Sequence, residues 1–328
     1  MDIREIRADD TALIEQYVAV TNAVSAVDSP WSHPDTVASY TGYLRHGWDG
    51  EVPRVFVGVV DGSVVAQGEY HTSEWDNTDL AWLWVAVHPD HRRAGLGSQL
   101  LEHLVGLARS EGKTKVGLDG WDLAATTAFA ERHGFERKSQ AINRRQTLAD
   151  LDQALLRKLY DEASDAATAY ELVKIGGRTP EDMLEDVAVM TAAINDAPTD
   201  DLDIEDEVFP ADRIARYEQA QLARNHRLYR LLARHRESGE LAGHTVVTVE
   251  GERPQIGHQH DTSVVRAHRG HRLGLLLKAG MVLWLADVEP QLETIETWNA
   301  ESNDHMIGVN EQLGYRMLGR GLQFQRAL

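Results

Sequence analysis

The chain contains no cysteine, which excludes disulfides and every zinc site built on thiolates. No apolar run approaches the roughly 18 residues that a membrane-spanning helix requires. Met1-Asp2-Ile3-Arg4-Glu5 opens the chain without an apolar leader stretch, so a soluble, cytoplasmic protein is expected. Basic residues are scarce: 33 Lys and Arg stand against 52 Asp and Glu, a formal charge of -19. That balance argues against a nucleic-acid partner, whose phosphates demand a basic surface. It favours cationic small partners such as amines. The 15 histidines show no H-E-x-x-H or similar spacing, so no metal is expected.

What is present is a repeated stretch. Ala81-Trp82-Leu83-Trp84-Val85-Ala86-Val87 reads as a strand. A basic glycine turn follows, His91-Arg92-Arg93-Ala94-Gly95-Leu96-Gly97-Ser98, and then a helical pattern carrying Leu100, Leu101, Leu104 and Val105. The echo comes 177 residues later: Thr262 to Val265, then His268-Arg269-Gly270-His271-Arg272-Leu273-Gly274, then Leu275 to Leu285. Strand, glycine turn and helix in that order gather backbone N–H groups and a positive helix end at one point, which suits phosphate. Neither copy ends in Gly-Lys-Ser/Thr, so neither is a Walker loop.

The flanks repeat as well. A hairpin about Asp61-Gly62 is answered at Gly239, and a helix closing at Gly134-Phe135 is answered at Gly314-Tyr315. The order β-α-α-β-β-β-α-β-α-β therefore occurs twice, an internal duplication. We expect a first domain over 1–148, a charged helical linker over 149–167 and a second domain over 168–328. Trp82, Trp84, Trp284 and Trp298 alternate with apolar neighbours and are expected in the core. Residues 200–207 carry six carboxylates in eight positions and are expected to rim an acceptor site of the second domain.

The spacing Arg92-x-x-Gly95-x-Gly97 resembles the pyrophosphate loop of the GNAT acyltransferase superfamily. The resemblance implies two tandem mixed α/β domains and acetyl-CoA as co-substrate. It implies direct transfer of the acetyl group to the primary amine of a small molecule, which the net negative charge leads us to expect to be cationic. Carried onto this sequence, the cofactor-binding residues are Val87, Arg92, Arg93, Gly95, Leu96, Gly97 and Ser98 in the first copy. In the second they are Val265, Arg269, Gly270, His271, Arg272, Leu273 and Gly274, with Asn303 at a later helix start. Arg272 stands where the first glycine of the second loop is expected. The family's base lies about eleven residues before the loop's first arginine, which selects Ala81 in the first domain and His258 in the second. His260 and Asp261 follow His258, so these three are the expected catalytic group and the second domain the expected working one. The family's thiolate-protonating tyrosine falls on Ala130 and Asn310, so neither domain keeps it. A non-catalytic acyl-CoA sensor or scaffold, and an aminoacyl-type transferase, are the alternative readings.

Overall fold

The computed structural model describes residues 1–328. In chain order the elements begin with β1 (Asp2–Ile6), α1 (Thr11–Asp28), α2 (Val37–His46), β2 (Arg54–Val60), β3 (Ser63–His71) and β4 (Leu80–Val87). They continue with α3 (Leu96–Ser110), β5 (Lys115–Trp121), α4 (Ala124–Arg132), β6 (Glu136–Thr147), α5 (Gln153–Ala166) and β7 (Tyr170–Gly176). Then come α6 (Leu184–Thr191), α7 (Ala211–Ala223), β8 (His226–His235), β9 (Leu241–Glu250) and β10 (Ile256–Val264). The last four are α8 (Leu273–Val288), β11 (Thr294–Ala300), α9 (Asp304–Gln312) and β12 (Arg316–Ala327). No helix is long and apolar enough to cross a membrane.

Two compact units result. Unit 1 comprises residues 1–141, 199–206 and 319–328; unit 2 comprises 142–198 and 207–318. The sheet of unit 1 runs β1-β2-β3-β4-β5-β12 and that of unit 2 runs β7-β8-β9-β10-β11-β6. In unit 1 only β4 and β5 run parallel; β1/β2, β2/β3, β3/β4 and β5/β12 are antiparallel. Alternation along the strands feeds two cores. Val55, Val57 and Val59 of β2 pack with α1 and α2. Phe56, Ala81, Leu83, Val116, Leu118, Leu322 and Phe324 pack with Leu100, Leu101 and Leu104 of α3 on the opposite face.

The parallel pairs are short, and that shortness opens the site. β4 pairs with β5 only from Leu80↔Lys115 to Leu83↔Leu118, after which β4 continues to Val87 without it. β10 pairs with β11 from Ile256↔Thr294 to His258↔Glu296 and then continues to Val264.

Three expectations need correction. The expected linker 149–167 contains α5, whose Leu156, Leu159 and Ala163 lie in the same buried core as Leu277, Met281 and Leu285 of α8. Its charges mask an apolar stripe at helical spacing. The acidic stretch does not rim unit 2, because residues 199–206 belong to unit 1. There Asp200 accepts from Ser139 Oγ at 2.6 Å, Asp203 lies 3.3 Å from Lys115 Nζ, and the Glu205 backbone N–H donates to Asn77 at 2.8 Å. Among the tryptophans, Trp298 is 48% exposed, while Trp82 and Trp84 are half-buried on the face turned away from the α3 core.

Candidate active site

Each glycine loop is held by the same brace. Arg92 Nε donates to the carbonyl of Val87 at 3.1 Å, and its two terminal nitrogens grip Asp28, at the end of α1, at 2.9 and 2.7 Å. In unit 2, Arg269 Nε donates to the carbonyl of Val264 at 3.1 Å and Nη2 reaches Asp196 at 2.6 Å. Both arginines were expected among the cofactor-binding residues. Their charge is already committed to a carboxylate, so they position the loop. Two backbone positions in each loop are left-handed: Arg93 (φ 66°) and Gly95 (79°), then Gly270 (85°) and Arg272 (57°). Each copy therefore puts glycine at one of the two positions and arginine at the other. The turn ends on a helix without a side-chain cap, at Gly95 for α3 and Arg272 for α8. First-turn N–H groups have no intrahelical acceptor, so Leu96, Gly97 and Ser98, like Leu273 and Gly274, offer donors to an anion.

In unit 2 a cavity of 580 Å³ extends from this loop. Arg269, Gly270, Arg272, Leu273, Gly274 and Asn303 line it, together with Thr262–Val264 of β10 and with Ala193, Ile194 and Asp196–Pro198. Ser263 Oγ is buried there without a partner, an orphaned group that a ligand's polar atom would satisfy. Asn303 also caps α9, accepting from Met306 N at 3.2 Å. Two expected ligand residues lie elsewhere. The Val265 N–H donates to the carbonyl of Ala242 at 2.9 Å, and His271 packs against Tyr170, ring centroids 5.5 Å apart.

The expected catalytic group of unit 2 does not line that cavity. A bulge in β10 between Gln259 and Thr262 adds one residue. Pairing with β9 and β11 therefore sets Gly257, not His258, in the place of Ala81. His258 instead lies 2.8 Å from Glu250, which also binds Arg253. Burial pushes Glu250 up, but the bonds from His258 and Arg253 outweigh it and bring it down to about 2. His260 has both nitrogens engaged, Nδ1 with Tyr217 at 2.6 Å and Nε2 with Thr248 at 2.9 Å. Burial and the neighbouring cations hold it well below the usual imidazole range. Asp261 is exposed. The same face is filled by Arg230, which meets His244 at 2.8 Å and Glu218 at 3.1 Å, all three buried.

Unit 1 keeps the corresponding face polar and partly open. Glu69 of β3 accepts from Tyr17 (2.7 Å) and Tyr40 (2.9 Å) on one oxygen, and its other oxygen lies 2.9 Å from His71 Nε2. Burial raises Glu69, but the bonds from His71, Tyr17 and Tyr40 win and hold it below the usual carboxylate range. Both tyrosines are pushed well above theirs, by burial and by that carboxylate. An ionised carboxylate only accepts, so in the neutral ring of His71 the proton is on Nε2 and the lone pair on Nδ1. Register places Glu69 opposite Trp84 and His71 opposite Trp82, at the point where β4 leaves β5. Two strands from β3, Asp119 of β5 accepts from Trp82 Nε1. Glu69, His71, Tyr17 and Tyr40 were not expected from the sequence. Their signal was the alternation Gln67-x-Glu69-x-His71 in a strand otherwise apolar.

Residues 22–135 match the Acetyltransferase (GNAT) family. Over its whole length the fold superposes on a tandem GNAT protein from the clavulanic acid biosynthesis pathway, with TM-score 0.80 and 25% identity, covering 99% of this chain and 98% of that one. Residues 22–135 are thus a GNAT acetyltransferase domain, and the chain as a whole has the tandem GNAT fold. A second tandem-length GNAT likeness is a GCN5-related N-acetyltransferase from Sphaerobacter thermophilus, with TM-score 0.67 and 16% identity over 99% of this chain and 95% of that one. In sequence, the chain is 29% identical over 152 residues to a mycothiol acetyltransferase of Geodermatophilus obscurus. The match spans 46% of each protein, about half the length of that relative.

Proposed function

We propose that the protein is a cytoplasmic, acetyl-CoA-dependent N-acetyltransferase acting on the primary amine of a small molecule, and that unit 1 carries out the transfer. The observation that carries this reading is the Glu69–His71 pair beside the parting of β4 and β5. The loop Arg93 to Ser98 suits the coenzyme's pyrophosphate, since its backbone is left-handed twice and it opens an uncapped helix. Bound there, acetyl-CoA would supply the activated acetyl group.

An alkylamine with pKa near 10 is almost wholly protonated at pH 7, so it must lose a proton before it can attack. His71 Nδ1 accepts that proton, while Glu69 fixes the tautomer and stabilises the imidazolium. Tyr17 and Tyr40 keep the Glu69 carboxylate ionised and in place. The amine nitrogen then bonds to the acetyl carbon as the carbon–sulfur bond breaks, and the proton that the new amide sheds neutralises the departing thiolate through solvent. A thiol of pKa about 8.5 leaves as thiolate without a dedicated acid, consistent with Ala130 at the usual tyrosine position, fully buried in the core.

Unit 2 supports a binding role. Its cavity meets the loop, but the face that would receive an amine holds the buried Arg230–Glu218–His244 group. The test is thiol release from acetyl-CoA across a panel of small amines. His71→Ala and Glu69→Gln should lower kcat by about 100-fold or more, with His260→Ala retaining turnover. The opposite ranking would return the chemistry to unit 2.

A further inference from the structure

The two carboxylates on the open face of unit 1 stand in different surroundings. Glu69 is engaged by His71 and two tyrosines. Asp119 has only neutral donors, Trp82 Nε1 and Gln323, and burial pushes it up to about 6 in spite of them. Unit 2 treats its carboxylate on the corresponding strand differently. Glu296 of β11 is paired with Arg145 of β6, a cation supplied by the protein itself. At Asp119 the adjoining strand β12 offers Gln323 instead.

Indole rings surround this corner. A Cβ at Gly117 would collide with the ring of Trp82, and one at Gly319 with the ring of Trp31. The glycines thus let both rings lie flat on the sheet. Trp31 meets Trp121 edge-on at 5.3 Å, and Trp121 lies two residues beyond Asp119 on the same face of β5. All three tryptophans are partly exposed. A carboxylate without its own cation, set among indole faces, has the chemistry of a site for an external organic cation.

We propose that this corner binds a second protonated nitrogen of the acceptor, so that the enzyme's substrates are diamines or longer oligoamines. One nitrogen meets His71 and receives the acetyl group; the other rests on Asp119 among Trp31, Trp82 and Trp121. The inference rests on the reading of unit 1 as the transferring unit. His71, Trp82 and Gly117 are level across β3, β4 and β5, so Asp119 sits about 10 Å across the sheet and about 7 Å along it from His71. The two charges of a flexible diamine span such a gap once the side chains lean inward.

The experiment is calorimetric titration of the full chain at pH 8 with α,ω-diaminoalkanes from 1,3-diaminopropane to 1,8-diaminooctane. The 1-aminoalkane of equal length serves as control for each. The best diamine should bind at least tenfold more tightly than its matched monoamine. Asp119→Asn should reduce that advantage to less than twofold. So should Gln323→Arg, which gives Asp119 a cation of the protein's own and leaves the carboxylate itself untouched. If no diamine outbinds its monoamine in the wild type, or the advantage survives Gln323→Arg, the inference is overturned. Thiol release with acetyl-CoA separates the two readings. An Asp119-dependent preference without any acetyl transfer sinks the transfer reading and leaves the diamine site standing. Equal transfer to monoamines and diamines does the reverse.

Discussion

Gly95 and Arg272 occupy the same point of the two glycine loops, 177 residues apart, and both are left-handed, at φ 79° and 57°. Glycine adopts that conformation freely, whereas a residue with a Cβ incurs a cost of about 1 kcal/mol. The Arg272 side chain recovers little of it. Its only ion pair, to Glu162 at 3.4 Å, joins two groups each over 40% exposed, and such pairs contribute next to nothing. Arg272→Gly should therefore stabilise the protein by about 0.5–1 kcal/mol, read as an upward shift of the urea midpoint. Destabilisation would show that the arginine does more than the geometry indicates.

The brace behind the loop leads to a second expectation. Arg92 is bidentate to Asp28, a geometry that lysine cannot reproduce. Arg92→Lys and Asp28→Asn should each weaken acetyl-CoA binding by about tenfold, roughly 1.4 kcal/mol, through loss of loop order. Calorimetry on both variants checks this. A loss with Arg92→Lys alone would mean that the arginine meets the phosphate itself.

How far the sequence carried these conclusions follows from what each feature depends on. The strand–loop–helix unit is local, so spacing alone exposed both loops and the duplication. The braces Arg92–Asp28 and Arg269–Asp196 join residues 64 and 73 positions apart, and no local pattern announces them. His258 was misplaced by a single bulged residue in β10, because counting along a chain assumes unbroken register. The Glu69 cluster draws on α1, α2 and β3, and its polar members look like ordinary surface alternation until the helices are laid over them. The route of residues 199–206 into unit 1 is a tertiary choice that composition could not reveal.

Arg230 and Glu218 form a buried pair, each 2% exposed at the side chain. Glu218 also accepts from the backbone N–H of Thr179 at 2.8 Å. Removing one partner leaves the other charged and out of water, so Arg230→Met should cost about 3–5 kcal/mol. Replacing both, as Arg230→Met with Glu218→Leu, should restore part of that loss. Urea unfolding of the two single variants and the double decides it. An additive double variant would mean that the pair is not coupled.

Lys278 of α8 gives the pH dependence. The residue is 2% exposed, and its ammonium lies over the ring of Tyr315 at 4.8 Å. Burial lowers it from the ordinary lysine value to about 7. The sign follows directly. Between the folded value of about 7 and the unfolded one near 10.4, the unfolded chain binds the proton that the folded chain has released. Stability therefore rises with pH through that window, and the penalty is complete below pH 7. Lys278→Leu removes the penalty, so it should stabilise the protein most at pH 6 and least at pH 10. The check is the urea midpoint of wild type and Lys278→Leu across that range. A difference that stays constant with pH would mean that Lys278 does not titrate in the folded protein.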